Sequence, residues 1–454
     1  MISAQNEALQ PLLSDAYDLP RLRQIRQVLE SHDTLTMRPL ASGLFSASPL
    51  TDFSKGTNYH AAWTRDNVHV AYAHFANGRP EVAANTAKAL ASFYQNQRAR
   101  IQAIIRDPTV KETPMNRPHV RFDGDTLQEL PQDWSQAQND ALGYFVWLYV
   151  TLALRGVLRV EDLDFELLAD FVGYFRAIEY WSDEDSGHWE EAVKVEASSI
   201  GAVAAGLRQV CELCRLAAAA EQRQVGGVNS EGVISERGRR RITETLAGSG
   251  VEDLAKRGEQ ALARILPAEC VQDDPQKARP YDAALLFLIY PLAVVDDEMA
   301  DDIVNRTAQQ LRGPIGVKRY LGDSFYCTDY ESEMARRKDD PTRNFSRDMA
   351  SRNKLLQAGE EAQWCVFDSI LSVHFGERYR KTKSAEALEI QTEYLNRALA
   401  QVTHADPPRC EAFRCPELYY HEQGHLQTSK STPLLWAQAN LWTALEAMEQ
   451  SLTS

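Results

Sequence analysis

A chain of 454 residues, 44% hydrophobic and 25% charged, has the composition of an average globular protein and room for one large domain or two to three ordinary ones. That excludes a disordered, collagenous or disulfide-scaffold chain. The formal charge of −15, from 49 basic and 64 acidic residues, argues against a nucleic-acid phosphate backbone as the main partner.

Residues 1–13 carry Glu7, no positive charge and no apolar core, so no secretory signal is expected there. Beyond them, apolar residues recur at three and four positions far more often than at two, the helical period. Helices are expected over 20–31, 64–77, 80–104, 136–155, 163–181 and 194–221. Six more are expected over 236–264, 280–293, 296–312, 361–378, 383–402 and 433–452. The stretch 236–264 counts as one element, although Gly248-Ser249-Gly250 should break it. Strand-like alternation is confined to 119–122 and 315–320. The best apolar run, 283–295, is shorter than the roughly 18 residues that span a bilayer and holds Tyr290 and Pro291, so no membrane span is expected. Seven cysteines, an odd number without framework spacing, point to reduced thiols and a cytoplasmic setting.

No Pro/Gly/Ser-rich linker divides the chain. The most polar interruption, 222–238, has Gly226-Gly227 and runs into Arg237, Arg239, Arg240 and Arg241, read as a solvated helix face rather than an anion site. A charged loop over 331–356 either folds over a site or is a surface excursion. One all-helical domain over 1–454 is the economical expectation, with 1–56 as a helical or extended lead-in.

Aromatic, acidic and amide residues collect in six places, each at or just ahead of a helix start. They are Trp63-Thr64-Arg65-Asp66-Asn67, the WSQAQND run from Trp134 through Gln138 to Asp140, and Trp189-Glu190-Glu191. Then come Tyr281-Asp282, Glu360-Glu361-Ala362-Gln363-Trp364, and Pro416-Glu417-Leu418-Tyr419-Tyr420 together with the stretch ending at Trp436. Every other helix carries one. If helices pair as outer–inner hairpins around a ring, the even-numbered ones form an inner barrel whose N-terminal ends meet at one mouth. Twelve helices in six hairpins describe an all-α (α/α)6 toroid. Helix capping explains Asp66 or Asp140 singly. It does not explain tryptophan in five of the six clusters.

These motifs resemble the glucoamylase-type glycoside hydrolases of family fifteen, with the phosphorylase kinase alpha/beta-subunit N-terminal region as a close relative. WTRD at 63–66, W-x3-QND at 134–140, WEE at 189–191 and RY-x2-D at 319–323 match in order and spacing. Tyr281-Asp282-Ala283-Ala284-Leu285-Leu286, Gln363-Trp364 and the segment from Pro416 to Tyr420 look more like the phosphorylase kinase branch. The matched segments run from about residue 57 to 442.

The resemblance implies an (α/α)6 barrel and inverting hydrolysis of α-linked glucans or oligosaccharides from the non-reducing end. Inversion needs one carboxyl to protonate the leaving oxygen and a second to deprotonate water, roughly 6.5–9.5 Å away. Glu190 matches the acid; indole packing and a neighbouring carboxylate disfavour its ionised form. Glu417 matches the base, with Glu422 as the reserve. Arg65 and Asp66 would grip the distal hydroxyls, Arg319 and Glu191 would hold hydroxyls on either side of the cleaved bond, and Trp63, Trp134 and Trp364 would wall the pocket. Trp189, Gln138 and Asp140 complete the expected binding set. For Trp134 a wall is favoured over core packing, because its neighbours from Gln132 to Asp140 are polar except Ala137.

Other motifs are weaker. Cys211 and Cys214 form a CxxC inside an apolar helical stretch, and His421-Glu422-Gln423-Gly424-His425 fits HExxH only in a polar stretch read as loop. No phosphate-binding glycine motif occurs, and the proposed reaction needs neither cofactor nor metal. The alternative class is a non-catalytic, carbohydrate-binding regulatory module of the phosphorylase kinase type.

Overall fold

The computed structural model describes residues 2–225, 234–246 and 248–454; the Gly226-Gly227 interruption lies outside them. In chain order its helices are α1 (Leu19–Ser31), α2 (Thr64–Ala76), α3 (Pro80–Asn96), α4 (Arg98–Arg106), α5 (Asn139–Leu154) and α6 (Phe165–Ala177). Next come α7 (Ala197–Val225), α8 (Glu236–Thr245), α9 (Val251–Ile265), the single-turn α10 (Leu286–Ile289) and α11 (Asp297–Gln310). The chain ends with α12 (Tyr330–Arg337), α13 (Met349–Asn353), α14 (Phe367–Thr382), α15 (Ala385–Ala400) and α16 (Leu435–Thr453).

Helices α2, α5, α7, α10, α14 and α16 each touch the next, and α16 returns to α2, so the inner ring closes. These are the even-numbered helices of the sequence reading. Their apolar residues face every direction: in α5 all but Leu154 are buried. The tightest contact joins α5 and α7 through two glycines. A Cβ at Gly143 would come within 2.5 Å of the Ala202 and Val203 backbone, and one at Gly206 within 2.9 Å of the Gly143 carbonyl. Outside the ring, α3 packs on α2, α9 on α7, α11 on α10, α15 on α14 and α1 on α16. Helix α6 meets α5 through Phe171 against Phe145. The outer helices carry conventional caps: Asp18, Asp164, Asp296 and Ser384 each accept a backbone N–H of the first turn. The result is a helical toroid with two small sheets at its mouth.

Those sheets are β1 (Ala62–Trp63), β2 (Arg121–Asp123) and β3 (Gln128–Glu129), and β4 (Gln363–Trp364), β5 (Leu418–Glu422) and β6 (His425–Thr428), all antiparallel. The expected strand at 119–122 overlaps β2, whereas 315–320 makes only single bridges, such as Val317 to Trp364. Four helix expectations need correction. The 80–104 stretch splits into α3 and α4 at Gln97, and 236–264 splits where Gly250 takes φ +66°. The 280–293 helix stops at Ile289, because Pro291 has no N–H to continue the ladder. The 361–378 helix starts at Phe367, because Gln363 and Trp364 are spent on β4. The 331–356 loop carries α12 and α13.

Of the basic run, Arg240 pairs with Glu244 and Arg241 stacks on Phe165. Burial pushes the Cys211 and Cys214 thiols up to about 11, and both are free. The HExxH residues lie on a hairpin, His421 on β5 and His425 on β6, not on one helix face.

Candidate active site

The N-terminal ends of the inner helices surround one pocket of about 810 Å³, counted out to its open mouth. Its lower end is closed by aromatic rings on the toroid axis. Trp436 stacks on His69 (4.6 Å between centroids) and Phe287 (5.2 Å), and His188 stacks on Phe287 at 4.8 Å. Tyr144 and Phe367 complete this floor, so each inner helix or the turn ahead of it supplies one ring. The pocket is blind.

On one wall stands Glu190. The Trp63 indole donates to its Oε1 at 2.8 Å and the Trp134 indole to its Oε2 at 2.9 Å. The turn that presents it is strained: Glu190 has φ +57°, a conformation that costs a non-glycine residue about 1–3 kcal/mol. Surrounding bonds hold it there, Ser186 N–H to Ala137 O (2.6 Å) and Glu191 N–H to Ser186 O (3.2 Å), with an Asp185–Lys194 bridge closing the loop. Burial pushes the Glu190 carboxyl above the ordinary glutamate value; Arg65, the Trp63 indole and Arg121 pull the other way. Its side chain keeps 18% of its surface, open to the pocket.

Glu417, entering β5, lines the same pocket. It accepts the Tyr59 hydroxyl at 2.7 Å and the Ser429 hydroxyl at 3.0 Å, and burial lifts it to about 7. Glu422, the reserve, is elsewhere. It accepts the Glu331 and Ser332 backbone N–H groups at 3.2 and 3.1 Å, capping the start of α12, and it does not line the pocket.

Trp63, Arg65, Asp66, Trp134, Trp189, Arg319 and Trp364 all line the pocket. Gln138, Asp140 and Glu191 stand behind its wall. Gln138 and Asp140 accept from Arg65 Nη1 at 3.2 and 2.5 Å and so fix its guanidinium. Asp66 is thus not needed to hold Arg65; burial lifts its carboxyl to about 7, and it faces the pocket. Glu191 is 1% exposed. It accepts from Arg352 (2.6 Å), Arg319 (3.0 Å), Arg279 (3.3 Å) and the Tyr320 hydroxyl (2.8 Å). Burial works against its charge, but the three arginines hold it well below the usual carboxylate range. Trp189 donates its indole N–H to Asp282 at 2.8 Å, which fixes the residue beside the strained turn.

Sequence reasoning did not single out Tyr59, Arg121, His188 or Arg352. Nor did it select Thr342, Asn344 and Phe345, which reach the pocket from the 331–356 segment. That segment is tied across the mouth by Asn58 to Thr342 (3.2 Å) and Arg347 to Asp133 (2.9 Å), so it folds over the site. Tyr59 had one signal, its place in a polar run just ahead of the WTRD motif.

Residues 27–454 match the family described as "Glycosyl hydrolases family 15". Over 324 residues the chain is 25% identical to the isomaltose glucohydrolase of Kribbella flavida, covering 69% of this chain and 73% of that protein. A probable phosphorylase b kinase regulatory subunit alpha of Caenorhabditis elegans is 24% identical over 420 residues, 83% of this chain. The chain spans 30% of that subunit's length, and 65% of the Escherichia coli uncharacterized lipoprotein YgeQ, to which it is 28% identical over 173 residues. Among solved structures, a wild-type glycosidase superposes with TM-score 0.63 at 18% identity, covering 96% of this chain and 99% of the other. The glucoamylase of Saccharomycopsis fibuligera does so with TM-score 0.56 at 12% identity, covering 97% of each chain.

Proposed function

The chain belongs to the glycosyl hydrolases of family 15, and we propose that it is a glucoamylase-like, exo-acting enzyme that releases glucose from the non-reducing end of α-linked glucans or oligosaccharides with inversion. The observation that carries this reading is a blind pocket with two carboxyls, Glu190 and Glu417, each held by two donors and raised above the ordinary glutamate value. A blind end admits a chain terminus and stops an internal segment. Glu190 gives its proton to the glycosidic oxygen as the C–O bond breaks, and the bonding pair leaves with that oxygen. A water attacks the opposite face of the anomeric carbon and yields its proton to Glu417. Solvent exchange then returns both groups to their starting forms. Arg65, oriented by Asp140, and Asp66 grip the distal hydroxyls; Arg319, Trp189 and Trp364 bind nearer the cleaved bond, where Arg319 lies 5.1 and 5.0 Å from the two indole centroids.

Residues 1–454 act as one catalytic unit in this reading, with 1–56 leading into the ring; the closed ring of inner helices supports it. No helix among the described residues is long and apolar enough to cross a membrane. The seven free cysteines support a cytoplasmic setting.

Incubation with maltose, isomaltose, trehalose and soluble starch should release glucose from at least one of them. Proton NMR in the first minutes should show β-glucose from an α-linked substrate, before mutarotation mixes the anomers. Early α-glucose would overturn inversion. No glucose from any of the four would favour the regulatory reading, which the likeness to the phosphorylase kinase subunit supports.

Asp66→Ala removes a carboxylate that faces the sugar while leaving the Arg65–Asp140 pair intact. Losing charge-assisted hydrogen bonds costs about 1.5–3 kcal/mol, so kcat/KM should fall roughly 10- to 150-fold. Unchanged kinetics with a lowered melting temperature would reduce Asp66 to a first-turn acid of α2.

A further inference from the structure

Arg121 is 1% exposed, yet its side chain forms no hydrogen bond or ion pair among the described residues; Nε and Nη1 are buried without a partner. Buried arginines are otherwise paired in this pocket wall: Arg65 with Asp140, Arg319 with Asp323, Arg352 with Glu191. An unpaired guanidinium out of water is costly, so its position calls for a compensating interaction. What it has instead is two indole faces. Its guanidinium carbon lies 4.2 Å from the Trp134 ring centroid and 5.1 Å from that of Trp63. The β1–β2 register sets it directly opposite Trp63, and the two indoles meet edge to face at 6.1 Å. Both indole N–H groups end on Glu190, one per carboxyl oxygen. A cation over an aromatic face draws electron density toward itself and leaves the ring N–H a stronger donor.

We propose that Arg121 is a positioning residue for the acid: it polarises Trp63 and Trp134 together, so that their N–H groups clamp Glu190 and set how readily it gives up its proton. The inference rests on the reading of Glu190 as the general acid. The charged and titratable groups facing Glu190 are Arg65 and Asp66 on α2, Tyr59 ahead of β1, and Arg121 on β2. Arg65 is bound by Asp140 and also reaches Glu190 Oε1 at 3.6 Å, whereas Arg121 has no carboxylate within ion-pair distance among the described residues.

Its positive field lowers the pKa of Glu190, so removing it must raise that value. The test compares kcat/KM against pH for the wild type, Arg121→Met and Arg121→Lys, using the α-glucoside that yields glucose and α-glucosyl fluoride. In Arg121→Met the basic limb should move up by about one pH unit. Turnover of the sugar-leaving substrate should fall about three- to ten-fold. Fluoride, which needs little protonation to depart, should lose much less. Arg121→Lys keeps the charge and should keep the limb in place. A limb unmoved in Arg121→Met, equal losses on both substrates, or the same shift in Met and Lys variants would overturn the proposal and leave Arg121 a packing residue. Should Arg121→Met fail to fold, Arg121→Gln carries the same expectation. A parallel Glu190→Gln profile separates the two ideas: if it retains the basic limb, the acid assignment itself is wrong.

Discussion

Glu190→Gln and Glu417→Gln should each lower kcat by about 10²- to 10⁴-fold, the range for loss of a general acid or base. The two variants fail in different ways. In Glu190→Gln one oxygen becomes an NH₂ that faces an indole N–H, so one of the two clamping bonds is lost at a cost of about 1 kcal/mol, too little to unfold the ring. A substrate whose leaving group needs no proton should recover much of the rate in this variant. It should recover none in Glu417→Gln, where the water is no longer activated. The wild-type kcat/KM profile should be a bell, because one carboxyl must be protonated and the other ionised. Both limbs should lie above the value of about 4.3 for a free glutamate, since burial raises both carboxyls, that of Glu417 to about 7. A near-normal rate in either variant, or an acid limb at the free-glutamate value, would remove the corresponding residue from its role.

Glu191→Ala should act on the fold rather than on sugar binding alone. Its carboxylate is the shared acceptor of Arg352 and Arg319, which line the pocket, and of Arg279 behind them. Removing it leaves three buried cations with too little opposing charge, and breaking a buried pair in this way costs about 3–5 kcal/mol. Chemical denaturation should show a loss of that size. A variant with normal stability and a selectively raised KM would restore the direct sugar contact that the WEE motif suggested.

That difference between neighbours shows what the sequence did and did not reveal. The helical period and the alternation of motif-bearing helices were enough for a closed toroid, because every inner helix repeats the same relation between mouth and core. Trp63, Trp134 and Trp364 were legible as candidate walls because each sits at the start of such a helix or just ahead of it. Glu190 and Glu191 were not separable. At Glu190 the backbone takes positive φ, and the turn sends one carboxyl into the pocket and the next behind its wall. Arg121 carried no pattern of its own and Tyr59 only its place ahead of the WTRD motif, since their roles come from strand register and from a residue 358 positions away. The hairpin β5–β6 and helix α12 were missed because charged and polar residues interrupt any apolar period there, and Glu422 instead stitches the two together across the chain.

The ring of stacked aromatics beneath Glu190 and Glu417 has a further consequence for how a long polymer would be degraded. In the proposed reaction the freed sugar lies deeper than the shortened chain, between it and the aromatic floor. The chain must therefore withdraw before the sugar can leave, and it has no groove along which to slide forward and keep its place. Polymers in a mixture would be trimmed side by side, one unit per encounter, rather than one molecule being consumed while its neighbours stay whole.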